Sequence, residues 1–129
     1  MTLPAADSQY LADRDLTHEV ALESGAICVL LSDWPLPAGY TPGARDLLLR
    51  LSPAYPDAGP DMWWFSPAVI RVDGRVIPGT ESQEYHLGRT WQRWSRHFNA
   101  GQWLASVDGL ESYLALVAKE LRRCAQEDL

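Results

Sequence analysis

The sequence predicts an α+β domain in which a short N-terminal helix and a long C-terminal helix pack on an antiparallel sheet of about four strands. Three observations carry this expectation. Near the end of the chain, Leu110, Tyr113, Leu114, Val117, Leu121 and Cys124 recur at helical spacing. The middle of the chain is a series of short apolar runs separated by proline- and glycine-rich stretches. The order of segments is short helix, antiparallel meander, irregular stretch, long helix, with no internal repeat or linker to divide them.

Residues 6–16 read as a short polar helix. Residues 19–31 read as extended, and Ile27-Cys28-Val29-Leu30-Leu31 is rich in branched apolar side chains. Residues 34–43 hold three prolines and two glycines and form a loop. Residues 46–51 make a second strand, residues 52–60 a proline-rich turn, and residues 62–65 a third strand. Asp73-Gly74, between Val69-Ile70-Arg71-Val72 and Arg75-Val76-Ile77, is the strongest hairpin signal in the chain. Residues 79–83 are polar and read as loop. Asp108 with Glu111 forms an Asp-x-x-Glu start for a helix over residues 108–126, with its apolar face on the sheet.

At 129 residues the chain fits one domain able to bury its own core. Its net charge of −6, from 17 acidic and 11 basic residues, argues against a general nucleic-acid binder, which neutralises phosphates. Ten of the basic residues are arginine and Lys119 is the single lysine. Arginine suits bidentate contacts to carboxylates, so an acidic protein partner fits, although a GC-rich genome accounts for the same bias. Cys28 and Cys124 have neither metal-type nor Cys-x-x-Cys spacing. Met1-Thr2-Leu3-Pro4 opens no signal peptide, and no apolar run is long enough to cross a bilayer. The expectation is a cytoplasmic, bacterial-type protein with no cofactor, no nucleic acid and no membrane among its partners.

Six tryptophans, at positions 34, 63, 64, 91, 94 and 103, are unusual in a chain of this length. Such residues fill a core or form a contact surface. Residues 88–103 hold three of them together with Arg89, Thr90, Arg93, Ser95, Arg96 and His97, and this tract is the candidate functional centre. Run extended, Trp91, Arg93, Ser95 and His97 share one face, so nucleophile and base meet. Coiled as a helix, Leu87, Trp91, Trp94 and Phe98 form an apolar stripe and Arg89, Arg93 and Arg96 a basic one. Both patterns are present, and the tract reads as a helix that breaks near Ser95. His86, His97 and Glu84 lack the spacing of a zinc site, and no metal is expected. Asp57 and Asp61 read first as turn and cap residues.

Three features together resemble the E2 ubiquitin-conjugating fold, and more closely prokaryotic E2 family E. Asp46-Leu47-Leu48-Leu49-Arg50-Leu51, then Tyr55-Pro56-Asp57 and Pro60-Asp61-Met62, is similar to the strand and Tyr-Pro segment of E2 proteins. Gly88-Arg89-Thr90-Trp91-Gln92-Arg93-Trp94-Ser95-Arg96-His97 resembles the signature block of family E. Trp103 leads into the helix near Asp108 as an E2 tryptophan leads into the helix after the active site. The resemblance runs from about Leu16 to Leu121.

It implies a protein that accepts a ubiquitin-like protein from an E1-like adenylating enzyme, with a JAB-type or other deconjugating peptidase as a neighbour and a role in defence against phage. ATP would be used by the E1-like enzyme. This chain departs from the pattern at the active site. The E2 cysteine precedes the tryptophan by a fixed interval, and counting back from Trp103 lands on Ser95. The upstream His-Pro-Asn is missing, and its place falls near Tyr85-His86-Leu87. Cys28 and Cys124 both fall on apolar faces, where a thiol is inert packing.

The resemblance therefore implies Ser95 as an oxyester carrier, with His97 as its base, His86 behind it and Thr90 as the alternative hydroxyl. Arg89, Trp91, Arg93, Trp94, Arg96 and Trp103 are the candidate partner-binding residues. The alternatives are a catalytically inactive E2-fold adaptor that binds the E1-like enzyme or the ubiquitin-like protein, and an unrelated small α+β binding domain whose aromatic tract is core.

Overall fold

The computed structural model describes residues 3–98 and 101–127. Helix α1 (Ala5–Asp13) precedes strands β1 (His18–Glu23), β2 (Ala26–Leu31), β3 (Asp46–Leu51), β4 (Trp63–Ser66), β5 (Gln83–His86) and β6 (Arg89–Trp94), and helix α2 (Leu110–Gln126) closes the chain. The strands form one sheet in the order β1-β2-β3-β4-β6-β5, with every neighbouring pair antiparallel. The α+β class and the two helices follow the expectation; the sheet has six strands rather than about four.

The two additional strands come from two-residue turns whose first residue is not the usual Asn or Asp. Ser24-Gly25 (φ 49° and 82°) folds residues 19–31 into the β1–β2 hairpin, with Glu23 opposite Ala26. Leu87-Gly88 (φ 50° and 78°) joins β5 to β6, with His86 opposite Arg89. Both residues of each turn lie in the left-handed region, as hairpins of this twist require. Gln83, expected in a loop, opens β5. Residues 89–94 are therefore a strand and not the expected helix. Trp91 and Trp94 lie three apart, as on one helix face, but in the strand they point to opposite faces and enter different clusters.

The hairpin expected at Asp73-Gly74 is absent as a ladder. Only the bridge Tyr40–Arg71 forms there. Arg71 is buried and spends its guanidinium elsewhere. It grips both Asp73 carboxylate oxygens at 3.0 and 2.6 Å and donates to the Cys124 and Glu127 carbonyls at 2.7 and 2.8 Å. The segment thus caps the C-terminus of α2, whose carbonyls have no partner within the helix.

The start of α2 also differs from the expected Asp108–Glu111 box. Gly109 is the N-cap, its N–H donating to the Ser112 hydroxyl at 3.1 Å. Asp108 instead accepts from the Leu104 N–H at 2.8 Å. The cap carboxylate comes from α1: Asp7, almost wholly buried, accepts the Leu110 N–H at 3.0 Å and the Tyr55 hydroxyl at 2.7 Å. One side chain thereby ties α1, the 52–60 turn and α2 together, and places negative charge at a helix N-terminus.

Leu110, Tyr113, Leu114, Val117, Leu121 and Cys124 all face inward from α2, as their spacing predicts. They meet Ile27, Val29, Leu31, Leu47, Leu49, Leu51, Trp63, Phe65 and Trp94 from one face of the sheet. The opposite face carries a second cluster of Cys28, Leu48, Trp64 and Trp91, and among the described residues none from α1 or α2 packs in it. It is covered because the sheet curls. A flat six-stranded sheet, with strands about 4.8 Å apart, would hold its edges about 24 Å apart. Here the two edges touch: Glu23 of β1 accepts the Leu87 N–H at 2.7 Å and lies 3.1 Å from Nδ1 of His86 on β5. Nε2 of His86 reaches Glu84 at 2.8 Å, and Glu84 also takes the Trp64 indole N–H at 3.1 Å and Arg93 at 2.8 Å. Arg89 lies over the Trp91 ring at 4.6 Å and His86 stands edge-on to Trp64. A charged rim borders the buried cluster.

Removing the Asp7 carboxylate leaves a helix N–H and a tyrosine hydroxyl without their partner. Asp7→Ala should cost about 2–4 kcal/mol in chemical denaturation, and Asp7→Asn, which keeps one acceptor, clearly less.

The rim carboxylates, together with Asp73 at the end of α2, have a pH signature. The Leu87 amide, with His86 and Arg50, holds the Glu23 carboxyl below its usual range. Burial pushes Glu84 up, but hydrogen bonds from His86, Arg93 and Trp64 outweigh it and the net direction is down. The Arg71 guanidinium and the Arg75 amide hold Asp73 down at about 2. Each group titrates lower folded than unfolded, so its contribution is complete above the ordinary value of 4.5 (3.8 for Asp73) and is lost as pH falls through the lowered values. Glu23→Gln should therefore lower the denaturation midpoint at pH 7 and flatten its decline below pH of about 4.5. Glu23→Ala should also open the seam, so that a thiol-reactive dye modifies Cys28 about tenfold faster or more.

Candidate functional site

The candidate tract follows β6 out of the sheet. The Ser95 N–H donates to the Gly79 carbonyl at 2.8 Å, and the Arg96 carbonyl accepts the Met62 N–H at 2.9 Å, so the chain stays pinned on both sides after the strand ends. Arg96 then spans from sheet to helix: it pairs with Glu120 of α2, donates to the Pro78 carbonyl at 2.9 Å, and lies over the Trp94 ring at 5.1 Å. The Glu120 carboxyl is held low by Arg123 and by Arg96, burial working against both.

Ser95 is half-buried, and its hydroxyl accepts a hydrogen bond from Arg93 Nε at 3.2 Å. A guanidinium donates and takes no proton, so this neighbour offers Ser95 no base. His97, two residues on, is engaged elsewhere. Its Nδ1 lies 2.6 Å from the Asp61 carboxylate, and both side chains are more than half exposed. His86 sits in the rim between Glu23 and Glu84, on the sheet side of the tract. Thr90 is exposed at the hairpin end of β6, the other end from Ser95, and its carbonyl accepts the Ser66 hydroxyl at 2.9 Å.

The arginines are each paired within the chain: Arg89 with Asp46 at 2.9 Å, Arg93 with Glu84 at 2.8 Å, and Arg96 with Glu120. Trp91 and Trp94 have no accessible surface, so any part they take in binding acts through their exposed neighbours. Trp103 is half-buried. Its indole N–H donates to the Pro56 carbonyl at 2.8 Å, and its ring rests on Gly59, where a Cβ would come within 2.5 Å of it. Both cysteines are buried without exposure; Cys28 lies in the second cluster of the sheet and Cys124 on the inward face of α2.

Asp61 is the residue that the sequence leaves in a turn and the fold brings to the site. It stands just before Met62, whose carbonyl accepts the Tyr113 hydroxyl at 2.6 Å. Burial pushes the Tyr113 phenol up, and the Asp61 carboxylate adds to the shift. His97 sits on the ridge between two concavities. One, of about 150 Å³, includes Trp63, Phe98, Tyr113 and Leu116; the other, of about 300 Å³, includes Gly59, Pro60, Phe98 and Trp103. Among the described residues no group of three or more His, Cys, Asp or Glu is arranged to hold a metal ion, and no helix is long and apolar enough to cross a membrane.

A β-meander, followed by a half-buried tryptophan that leads into the covering helix, agrees with the fold that the resemblance drawn from the sequence implies. Comparison with known families bears on it directly: residues 3–124 match the model described as Prokaryotic E2 family E. No curated protein and no solved structure matches the chain. Because the match spans nearly the whole chain, the protein belongs to Prokaryotic E2 family E.

Proposed function

We propose that this protein is the E2-like component of a bacterial ubiquitin-like conjugation pathway, and that it engages an E1-like adenylating enzyme and its ubiquitin-like protein without a thiol carrier of its own. The observation that carries this reading is an E2-family chain in which both cysteines are fully buried. A thioester carrier must expose its thiolate to a partner's active site. Cys28 is shut behind the rim, and Cys124 faces the core from α2 with Arg96 3.6 Å from its sulfur. The role left is to bind both partners and set the geometry of transfer. A JAB-type or other deconjugating peptidase and a part in defence against phage belong to the same proposal, as the setting that the family resemblance implies.

A second reading keeps Ser95 as an oxyester carrier. It is favoured by the position of Ser95, at the end of β6 ahead of Trp103, and opposed by its hydroxyl facing Arg93 instead of a base. For that reading the tract would have to rearrange so that His97, His86 or another base reaches Ser95, with Thr90 as the remaining hydroxyl.

One experiment separates them. The protein is incubated with the E1-like enzyme and ubiquitin-like protein of its pathway and ATP, then followed by intact mass and size-exclusion chromatography. A complex with no covalent adduct on this chain is expected. An adduct that survives reductant but not mild base, and disappears in Ser95→Ala, would establish the oxyester instead. An adduct lost in Cys28→Ala would overturn both readings, and the absence of any complex would overturn the assignment to the pathway.

A further inference from the structure

We infer that Asp61 and His97 form a general-base dyad that deprotonates an amine acceptor as it attacks a thioester held by a partner protein. This rests on the reading above, in which the acyl group reaches the site on another protein's thiol. The geometry is that of an oriented base. A carboxylate only accepts hydrogen bonds, so at 2.6 Å Asp61 binds the Nδ1–H tautomer of His97. The lone pair of the neutral ring is then on Nε2, on the opposite side of the imidazole from Asp61. Asp61 therefore acts as a positioning residue that selects the tautomer and fixes the ring.

The surroundings suit an acceptor delivered from outside. His97 is 61% exposed and Asp61 53%, an arrangement that serves a bulky incoming molecule better than an internal nucleophile. The ring is flanked by two concavities walled by Phe98, which both share, with Trp63 and Tyr113 in one and Trp103 in the other. Aromatic walls of this kind hold the aliphatic stem of a lysine while its amine reaches the base. No hydroxyl of the tract is bonded to His97: the nearest in sequence, Ser95, is bonded to Arg93. The dyad is thus a base whose proton donor is not part of the described site.

The step balances as follows. The neutral amine nitrogen attacks the thioester carbonyl carbon, and a C–N bond forms while His97 Nε2 takes a proton from that nitrogen. The tetrahedral carbon then collapses, the C–S bond breaks, and the leaving thiolate takes the proton back from the imidazolium. The products are an amide and a free thiol, and Asp61 remains a carboxylate throughout.

The test begins with the thioester formed by ATP between the E1-like enzyme and the ubiquitin-like protein of the pathway, then freed of ATP. Free lysine is the acceptor probe, and loss of the thioester is followed with and without this protein. Wild type should accelerate discharge to lysine; His97→Gln should lower the added rate about 100-fold and Asp61→Asn about 10-fold, within the range of general-base contributions. For Asp61→Asn the loss should fall on the rate at saturating protein, with the concentration for half-saturation unchanged, because it acts through His97. In His97→Ala, added imidazole should restore part of the rate. Equal discharge by wild type and His97→Gln, with binding to the E1-like enzyme intact, would overturn the dyad while leaving the proposed function standing. Loss of binding by wild type itself would sink the pathway reading, and a covalent adduct on His97 would replace the base with a nucleophile.

Discussion

Two strands of this protein carry aromatic side chains on both faces, and the described residues form one long helix with which to cover them. On β4, Trp63 and Trp64 are adjacent and so point to opposite sides; on β6, Trp91 and Trp94 do the same. Burying tryptophan on each face is worth several kcal/mol, but α2 can reach only one. The other is covered by curling the sheet until its edges meet, and the contact that holds them is Glu23 against Leu87 N–H and His86. This single carboxylate works on the outer side of each edge strand, which the ladders to β2 and β6 leave unpaired. It also steadies Leu87, which turns through the left-handed region, a conformation unfavourable for a residue with a Cβ.

The site inherits its shape from this arrangement. Because β6 must present Trp91 to one cluster and Trp94 to the other, it runs as a regular strand to its end, and the chain emerges between Gly79 and Met62. Arg93 lies on the face of the rim and is drawn to Glu84, which brings its Nε to the Ser95 hydroxyl. Arg96 is drawn the other way, to Glu120 on α2. The arginines that form a candidate binding row in the sequence are each paired, in the fold, with a carboxylate of another element. What remains outside these arginine pairings is His97 with Asp61, at a surface lined by Phe98 and Trp103.

Legibility varied with how local the physical cause is. The inward face of α2 was readable because helical spacing is a property of a few consecutive turns, and all six predicted residues are buried there. The strands Asp46–Leu51 and Trp63–Ser66 were readable from apolar runs bounded by proline. The Ser24-Gly25 and Leu87-Gly88 turns were not, since Ser and Leu are ordinary residues that only the pairing of flanking strands pushes to positive φ. Asp73-Gly74 shows the converse: its turn chemistry is local and genuine, but Arg71 beside it is claimed by the end of α2, more than fifty residues away in sequence. At the site, His97 was visible as a titratable residue in an aromatic tract and Asp61 as a turn residue, but their pairing was not, because the 35 residues between them carry no signal that they meet.

By itself, the sequence determined the α+β class, the long amphipathic helix, the family resemblance and the placement of both cysteines on apolar faces, since each follows from composition, spacing or motif. Only the tertiary structure decided the number of strands, the burial of Trp91 and Trp94, the pairing of the arginines and the partner of His97. Those depend on which side chains from distant segments compete for the same carboxylate or the same side of the sheet. Such competition is settled by the closure of the sheet and the docking of α2, and no window of local sequence contains both parties to it.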